Sequence, residues 1–196
     1  NTQFDDEDFF EIKRLMNDRE DNIWVGAKTG LSKITFKNNS ETFDIQKFND
    51  IKDKQGTLIQ NSVFAIEEDR MGNIWVGYWK KGIAKITFDT QSETYTSVNY
   101  QNEFNNINSL SNNFVRDILE DSNGDIWIGT IRGLNKLKKD AVGNIAFTSY
   151  LNDSENKNSL SNNYVLDVFQ ASDGHLYVGT FGGGLNQIEI SNNTLN

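Results

Sequence analysis

The aromatic residues Trp24, Trp75, Trp127 and Tyr177 stand 51, 52 and 50 residues apart, and the text around each is nearly the same. A fixed period of that size marks a repeat architecture, in which one module cannot bury its apolar surface without a neighbour. Glycine comes two residues after every anchor (Gly26, Gly77, Gly129, Gly179). A second glycine, six or seven residues after the anchor, precedes an aliphatic: Gly30-Leu31, Gly82-Ile83, Gly133-Leu134 and Gly184-Leu185. Leu15, Ile66, Ile118 and Val168 lie nine residues upstream of the anchor, and Ile12, Val63, Val115 and Val165 twelve upstream. Leu58, Leu110 and Leu160 precede it by seventeen, and Phe48, Tyr100 and Tyr150 by twenty-seven. The units run approximately over residues 9–50, 58–102, 110–152 and 160–196.

Gly, Asn and Asp clusters cut each unit into four short apolar runs, A to D, of strand length. In the third unit the spacing predicts A at Val115 to Glu120, B at Asp125 to Thr130, C at Leu134 to Lys138 and D at Ala146 to Leu151. The A–B connection "DSNGD" is a hairpin signal, its glycine supplying a left-handed conformation. In strand B, "NIWVG", Ile and Val point to one face while Trp and Gly point to the other. Both faces are therefore apolar or closely approached, unlike a sheet wet on one side. Four-stranded sheets covered on both faces and repeated at about 50 residues predict an all-β fold, a β-propeller segment of four blades. It is either a partial propeller or a four-bladed unit. Each anchor aromatic is expected to fill the space between neighbouring blades, and the glycine beyond it to admit a side chain from the next sheet.

A net charge of -9 and no clustered basic face argue against a nucleic-acid partner. The chain has no cysteine, which removes disulfides and thiolate metal sites. No apolar run reaches the length of a membrane helix, so membrane attachment is expected only through flanking segments. The chain begins at Asn1, and "NTQFDD" resembles the tail of a strand D, while the fourth unit is left with only "SNNTLN" after its strand C. Two explanations stay open: the first residues complete the last blade, or the chain is a piece cut from a longer array, the latter favoured because so few residues make a poor outer strand.

The pattern D-x-x-G-N-I-W-V-G-T-x-x-G-L resembles the two-component regulator propeller repeat. The third unit, "DSNGDIWIGTIRGLNKL" with its entry "NSLSNNFVRDILED", carries it best, and the fourth, "ASDGHLYVGTFGGGLNQI", departs most. The resemblance implies the extracytoplasmic, periplasmic sensor region of a hybrid histidine kinase and response regulator. It implies carbohydrate sensing by noncovalent recognition, with no enzymatic activity in these residues. An oligosaccharide ligand is the expected partner, with self-association through open blade edges or within a dimeric receptor as further expectations. The rivals are a propeller lyase or hydrolase, and a protein-interaction scaffold.

In a propeller the D–A connectors and B–C turns share the end where ligands usually bind. The candidate ligand contacts there are Lys28, Tyr78, Trp79, Lys80, Arg132 and Phe181, with Asn113 and Asn163 in the connectors. Aromatic faces, amides and long bases suit sugar C–H faces and hydroxyls. Trp79 competes with a packing role, and the asparagines with ordinary turn formation. "EDSNGD" (Glu120 to Asp125) lacks the glycine placement and distal glutamate of a calcium loop, so a β-turn is expected there. His175, the one histidine, falls in an A–B turn with no nucleophile or acid pair in register. Lys80-Lys81 and Lys136 with Lys138-Lys139 read as solvated surface charge. No motif calls for a cofactor.

Overall fold

The computed structural model describes residues 11–37, 42–48, 61–139, 144–189 and 194–195, and among these the regular structure is entirely β. The first sheet contains β1 (Ile12–Asn17), β2 (Ile23–Ala27), β3 (Gly30–Phe36) and β4 (Phe43–Lys47). The second contains β5 (Val63–Glu68), β6 (Ile74–Tyr78), β7 (Ile83–Asp89) and β8 (Thr94–Tyr100). The third contains β9 (Val115–Glu120), β10 (Ile126–Thr130), β11 (Gly133–Lys139) and β12 (Ile145–Tyr150). The fourth contains β13 (Val165–Gln170), β14 (Leu176–Thr180), β15 (Gly184–Glu189) and β16 (Thr194–Leu195). All four are meanders in which sequence neighbours pair, the blade topology of a β-propeller. Strand A of the third unit falls where the spacing places it, and B, C and D differ by one residue at their ends. Leu58 and Phe4 lie outside the described residues.

The chain divides into two compact units, residues 1–99 and 100–196, each built around two of the sheets. In the first unit Trp24, Leu31 and Phe48 of the first sheet share one apolar cluster with Val63, Ile66 and Val76 of the second. In the second unit Trp127 and Leu134 of the third sheet meet Leu160, Val165 and Val168 from the fourth repeat. In the first and third sheets the glycine beyond the anchor is a socket: a Cβ on Gly26 would lie 2.6 Å from Val63 Cγ1, and one on Gly129 would lie 2.7 Å from Val165 Cγ1. No real side chain tolerates that approach, so glycine is required there.

The paired aliphatics of strand A are three residues apart, which in a regular strand would place them on opposite faces. The register of every A–B hairpin shifts between them, at Ile12/Arg14, Val63/Ala65, Gly129/Thr130 opposite Val115, and Val165/Asp167. This bulge turns both knobs of a pair to the same side. The fourth sheet supplies its own outer strand, with Ile188 paired to Leu195 and Glu189 to Thr194. The sequence left the fourth unit without a strand D of its own, and Thr194–Leu195 supplies two residues of one.

Candidate functional site

One end of each sheet is occupied by a polar cluster that holds the fold. Asp18 Oδ1 accepts the backbone N–H groups of Glu20 and Asn22 at 3.0 and 2.8 Å, and Asp18 Oδ2 accepts the indole N–H of Trp24 at 2.8 Å. Asp69 accepts from Trp75 at 2.9 Å and Asp121 from Trp127 at 2.8 Å in the same way. Directly across from each tryptophan on strand C sits a lysine whose Nζ lies over the ring: Lys33 at 5.5 Å, Lys85 at 5.8 Å and Lys136 at 5.0 Å from the centroid. In the fourth sheet all three members change together, to Ala171, Tyr177 and Gln187, and the Tyr177 hydroxyl turns to Asp173 instead, at 3.3 Å. Burial alone would raise the Asp18 pKa, but the Trp24 indole, the Asn22 donors and the Lys33 charge outweigh it and hold the carboxyl below its ordinary value.

This end therefore carries structure. Asp121 is committed to Asn123 N–H, Asp125 N–H and Trp127, so the "EDSNGD" segment is the expected β-turn. Lys136 corrects the sequence expectation: it is buried, ion-paired to Asp125 at 2.6 Å, and only its neighbours Lys138 and Lys139 are solvated. His175 lies in the fourth A–B turn, where its backbone N–H donates to Asp173 Oδ1 at 3.0 Å.

The opposite end is formed by connectors and B–C turns, and in residues 100–196 two connectors share one hydrogen-bonded skeleton. Asn102 N–H donates to Asn113 Oδ1, and Asn152 N–H to Asn163 Oδ1, each at 2.7 Å. Asn102 Nδ2 donates to the Leu110 carbonyl and Asn152 Nδ2 to that of Leu160. Ser111 N–H reaches Asn135 Oδ1, and Ser161 N–H reaches Asn186 Oδ1, each at 2.8 Å. Leu110 and Leu160 anchor the loops in the core.

The skeletons match, but the tips differ. Phe104 and Ile107 are 93% and 89% exposed, and the equivalent residues of the second loop are Ser154 and Lys157. With Asn102, Arg132, Phe147 and Leu151 they line an open groove of about 660 Å³. The loop geometry does not require the two apolar tips, because the second connector folds identically without them. Their exposure is thus a surface property, and the groove adds amides and a guanidinium suited to a polar ligand with an apolar face. Sequence reasoning missed Phe104 and Ile107; the signal was their contrast with Ser154 and Lys157 in otherwise matching loops.

Five of the eight sequence candidates lie on B–C ends at or near the surface. Lys28 pairs with Glu11 at 3.3 Å. Half-buried Trp79 stacks on Phe64 at 5.1 Å, and exposed Phe181 leans on Tyr164 at 5.5 Å. Lys80 is exposed with a positive φ of 81°, and Arg132 faces the groove. Four strictly aligned backbone bonds set this rim: Lys28 N–H to Glu11 O, Trp79 to Ser62, Ile131 to Phe114 and Phe181 to Tyr164. The side-chain pairs on this common frame are all different. Tyr78 is not on the rim. It ends β6 in the apolar cluster, 2% exposed, and burial pushes its hydroxyl pKa up. Its equivalents Ala27, Thr130 and Thr180 are likewise buried. Asn113 and Asn163 brace the connectors through their side-chain oxygens.

Sheets of this topology, packed through knobs and sockets and presenting variable loops at one end, define a β-propeller repeat protein. Residues 52–80, 109–132 and 159–182 match the family model of the two component regulator propeller. Histidine kinase P4 of Formosa agariphila is 34% identical over 126 residues, covering 64% of this chain and 8% of that protein. Among solved structures, the extracellular domain of a hybrid two component system from B. thetaiotaomicron superposes with a TM-score of 0.66 at 23% identity, over 99% of this chain and 23% of that one. PorZ of Porphyromonas gingivalis gives 0.69 at 20% identity, over 90% and 26%. Virginiamycin B lyase from Staphylococcus aureus gives 0.58 at 14%, over 92% and 53%. The chain thus spans less than a tenth of the curated relative and about a quarter of the first two structures.

Proposed function

We propose that these repeats form part of the extracytoplasmic, periplasmic sensor region of a hybrid two-component receptor and recognise a glycan-derived ligand noncovalently at the connector end. The observation that carries this reading is the groove beside Arg132, where one of two isostructural loops exposes Phe104 and Ile107. The aromatic face offers stacking for sugar C–H groups, the asparagine amides match hydroxyls, and Trp79, Lys80, Lys28 and Phe181 offer similar chemistry on the rims of other sheets. The match of three segments to the two component regulator propeller model supports signalling, and the variable rim on an invariant frame supports recognition. The lyase fold neighbour keeps catalysis as the contrasting role for a propeller.

Calorimetric titration of the chain with neutral and acidic oligosaccharides tests this. Exchanging the loop tip for its counterpart, Phe104→Ser with Ile107→Lys, is expected to weaken binding about tenfold or more with the melting temperature unchanged. Absence of binding across the panel, or binding indifferent to the exchange, would contradict the proposal.

A further inference from the structure

One acid and one base line the groove beside Phe104, and they stand differently towards the loop. Glu103 belongs to its turn, because its Oε2 accepts a hydrogen from Asn106 Nδ2 at 2.7 Å. The counterpart in the second connector is also an acid, Asp153, and it holds its own turn by accepting the Glu155 N–H at 3.0 Å. Arg132 has no such duty. Its backbone N–H donates to Thr130 Oγ1 at 3.1 Å, but its exposed guanidinium makes no hydrogen bond or ion pair with any of the described residues.

The B–C turn does not call for an arginine. Five residues after the anchor the other sheets carry Thr29, Lys80 and Gly182. Between the two matching connectors Phe104, Ile107 and Arg132 give way together to Ser154, Lys157 and Gly182, while the hydrogen-bonded skeleton stays. The three residues that neither loop nor turn requires are thus the ones that face a single groove. A guanidinium carries a permanent charge and five N–H donors in a planar fork, with no acceptor of its own. Left unpaired in a chain of net charge -9, it offers that fork to whatever enters. The two oxygens of a carboxylate or a sulfate fit it side by side, and a hydrogen bond to an ionised acceptor is roughly twice as strong as a neutral one. A sugar hydroxyl fills a single donor.

We infer that this groove selects glycans that bear an acidic group, with the Arg132 guanidinium taking the anion and Phe104 and Ile107 taking the C–H face of the ring that carries it. The inference rests on the glycan reading above and narrows it to a charge class. The shared chemistry is a pair of anionic oxygens on a sugar, supplied either by a uronic acid or by a sulfate ester. Arg132 is then the residue that sets specificity, and the apolar tip supplies affinity that is indifferent to charge.

The test titrates the intact chain calorimetrically with oligogalacturonides and their methyl esters, and with a sulfated galacto-oligosaccharide and its desulfated form. In at least one pair the charged member is expected to bind about tenfold or more tighter, and the pair that shows it tells carboxylate from sulfate. Arg132→Gln should bring the charged sugar down to the affinity of its uncharged partner with the melting temperature unchanged, and added salt should shrink the preference in the native chain. Arg132→Lys, which keeps the charge and loses the fork, should retain only part of the preference. Equal binding of both members of each pair, still weakened by Phe104→Ser, overturns the charge selection and leaves the glycan reading standing. A preference for the charged member that survives Arg132→Gln overturns it too. Failure of all these sugars to bind overturns both.

Discussion

The third and fourth sheets have the same strand order, the same bulge in strand A and the same connector skeleton, yet they are held differently. The third has Asp121, Trp127 and Lys136, with the indole fully buried beneath the knobs of the next sheet. The fourth has Ala171, Tyr177 and Gln187, and its aromatic is only half-buried with an empty socket beside it. The backbone of a blade thus needs only the apolar alternation and turn chemistry. The polar cluster consolidates a blade whose outer face is covered.

Removing the aromatics should separate the two sheets most. Trp127→Ala is expected to cost about 3–5 kcal/mol in chemical denaturation, and Tyr177→Ala, whose ring is partly wet already, clearly less. Equal costs would break the comparison. The carboxylates come next. Asp121→Ala strands a buried indole N–H and two turn N–H groups, for about 2–3 kcal/mol, whereas Ala171 shows that the fourth sheet does without an acid there, and Asp173→Ala should leave the midpoint almost unchanged. Among the sockets, Gly129→Ala should destabilise by about 1–3 kcal/mol and Gly179→Ala by no more than about 0.5 kcal/mol.

The first sheet adds a pH dependence. Because the folded Asp18 carboxyl titrates below its ordinary value, its stabilisation is complete above the unfolded pKa of about 4 and disappears as pH falls through the folded one. Melting curves should therefore drop below about pH 4, and Asp18→Asn should flatten that drop. The smallest effect concerns the A–B turn, where Gly72, Gly124 and Gly174 have positive φ and the first sheet places Asp21 at 60°. Asp21→Gly is expected to stabilise by about 0.5 kcal/mol, seen as a small rise in midpoint.

Much of the fold was legible because it rests on period and alternation: the anchors, the glycine sockets and the doubly covered strand B are all visible in the text. The Asp–Trp–Lys cluster was not, because its members belong to three separate segments and meet only when hairpin register aligns them. Lys136 consequently looked like surface charge. The joint change to Ala171, Tyr177 and Gln187 was the trace it left in the sequence. Tyr78 misled because it follows the socket glycine and reads as turn, although the strand continues one residue further into the core. The groove was hidden inside a connector whose asparagines drew attention to turn formation, while its apolar tips passed unnoticed.

The central claim is that neighbouring sheets lock by direct contact between a strand A knob and the glycine two residues past the anchor. A double-mutant cycle on Gly129→Ala and Val165→Ala measures that contact. The account predicts that trimming Val165 relieves most of the penalty of the added methyl, with a coupling of about 1 kcal/mol or more. Additive costs, with no relief, would contradict it.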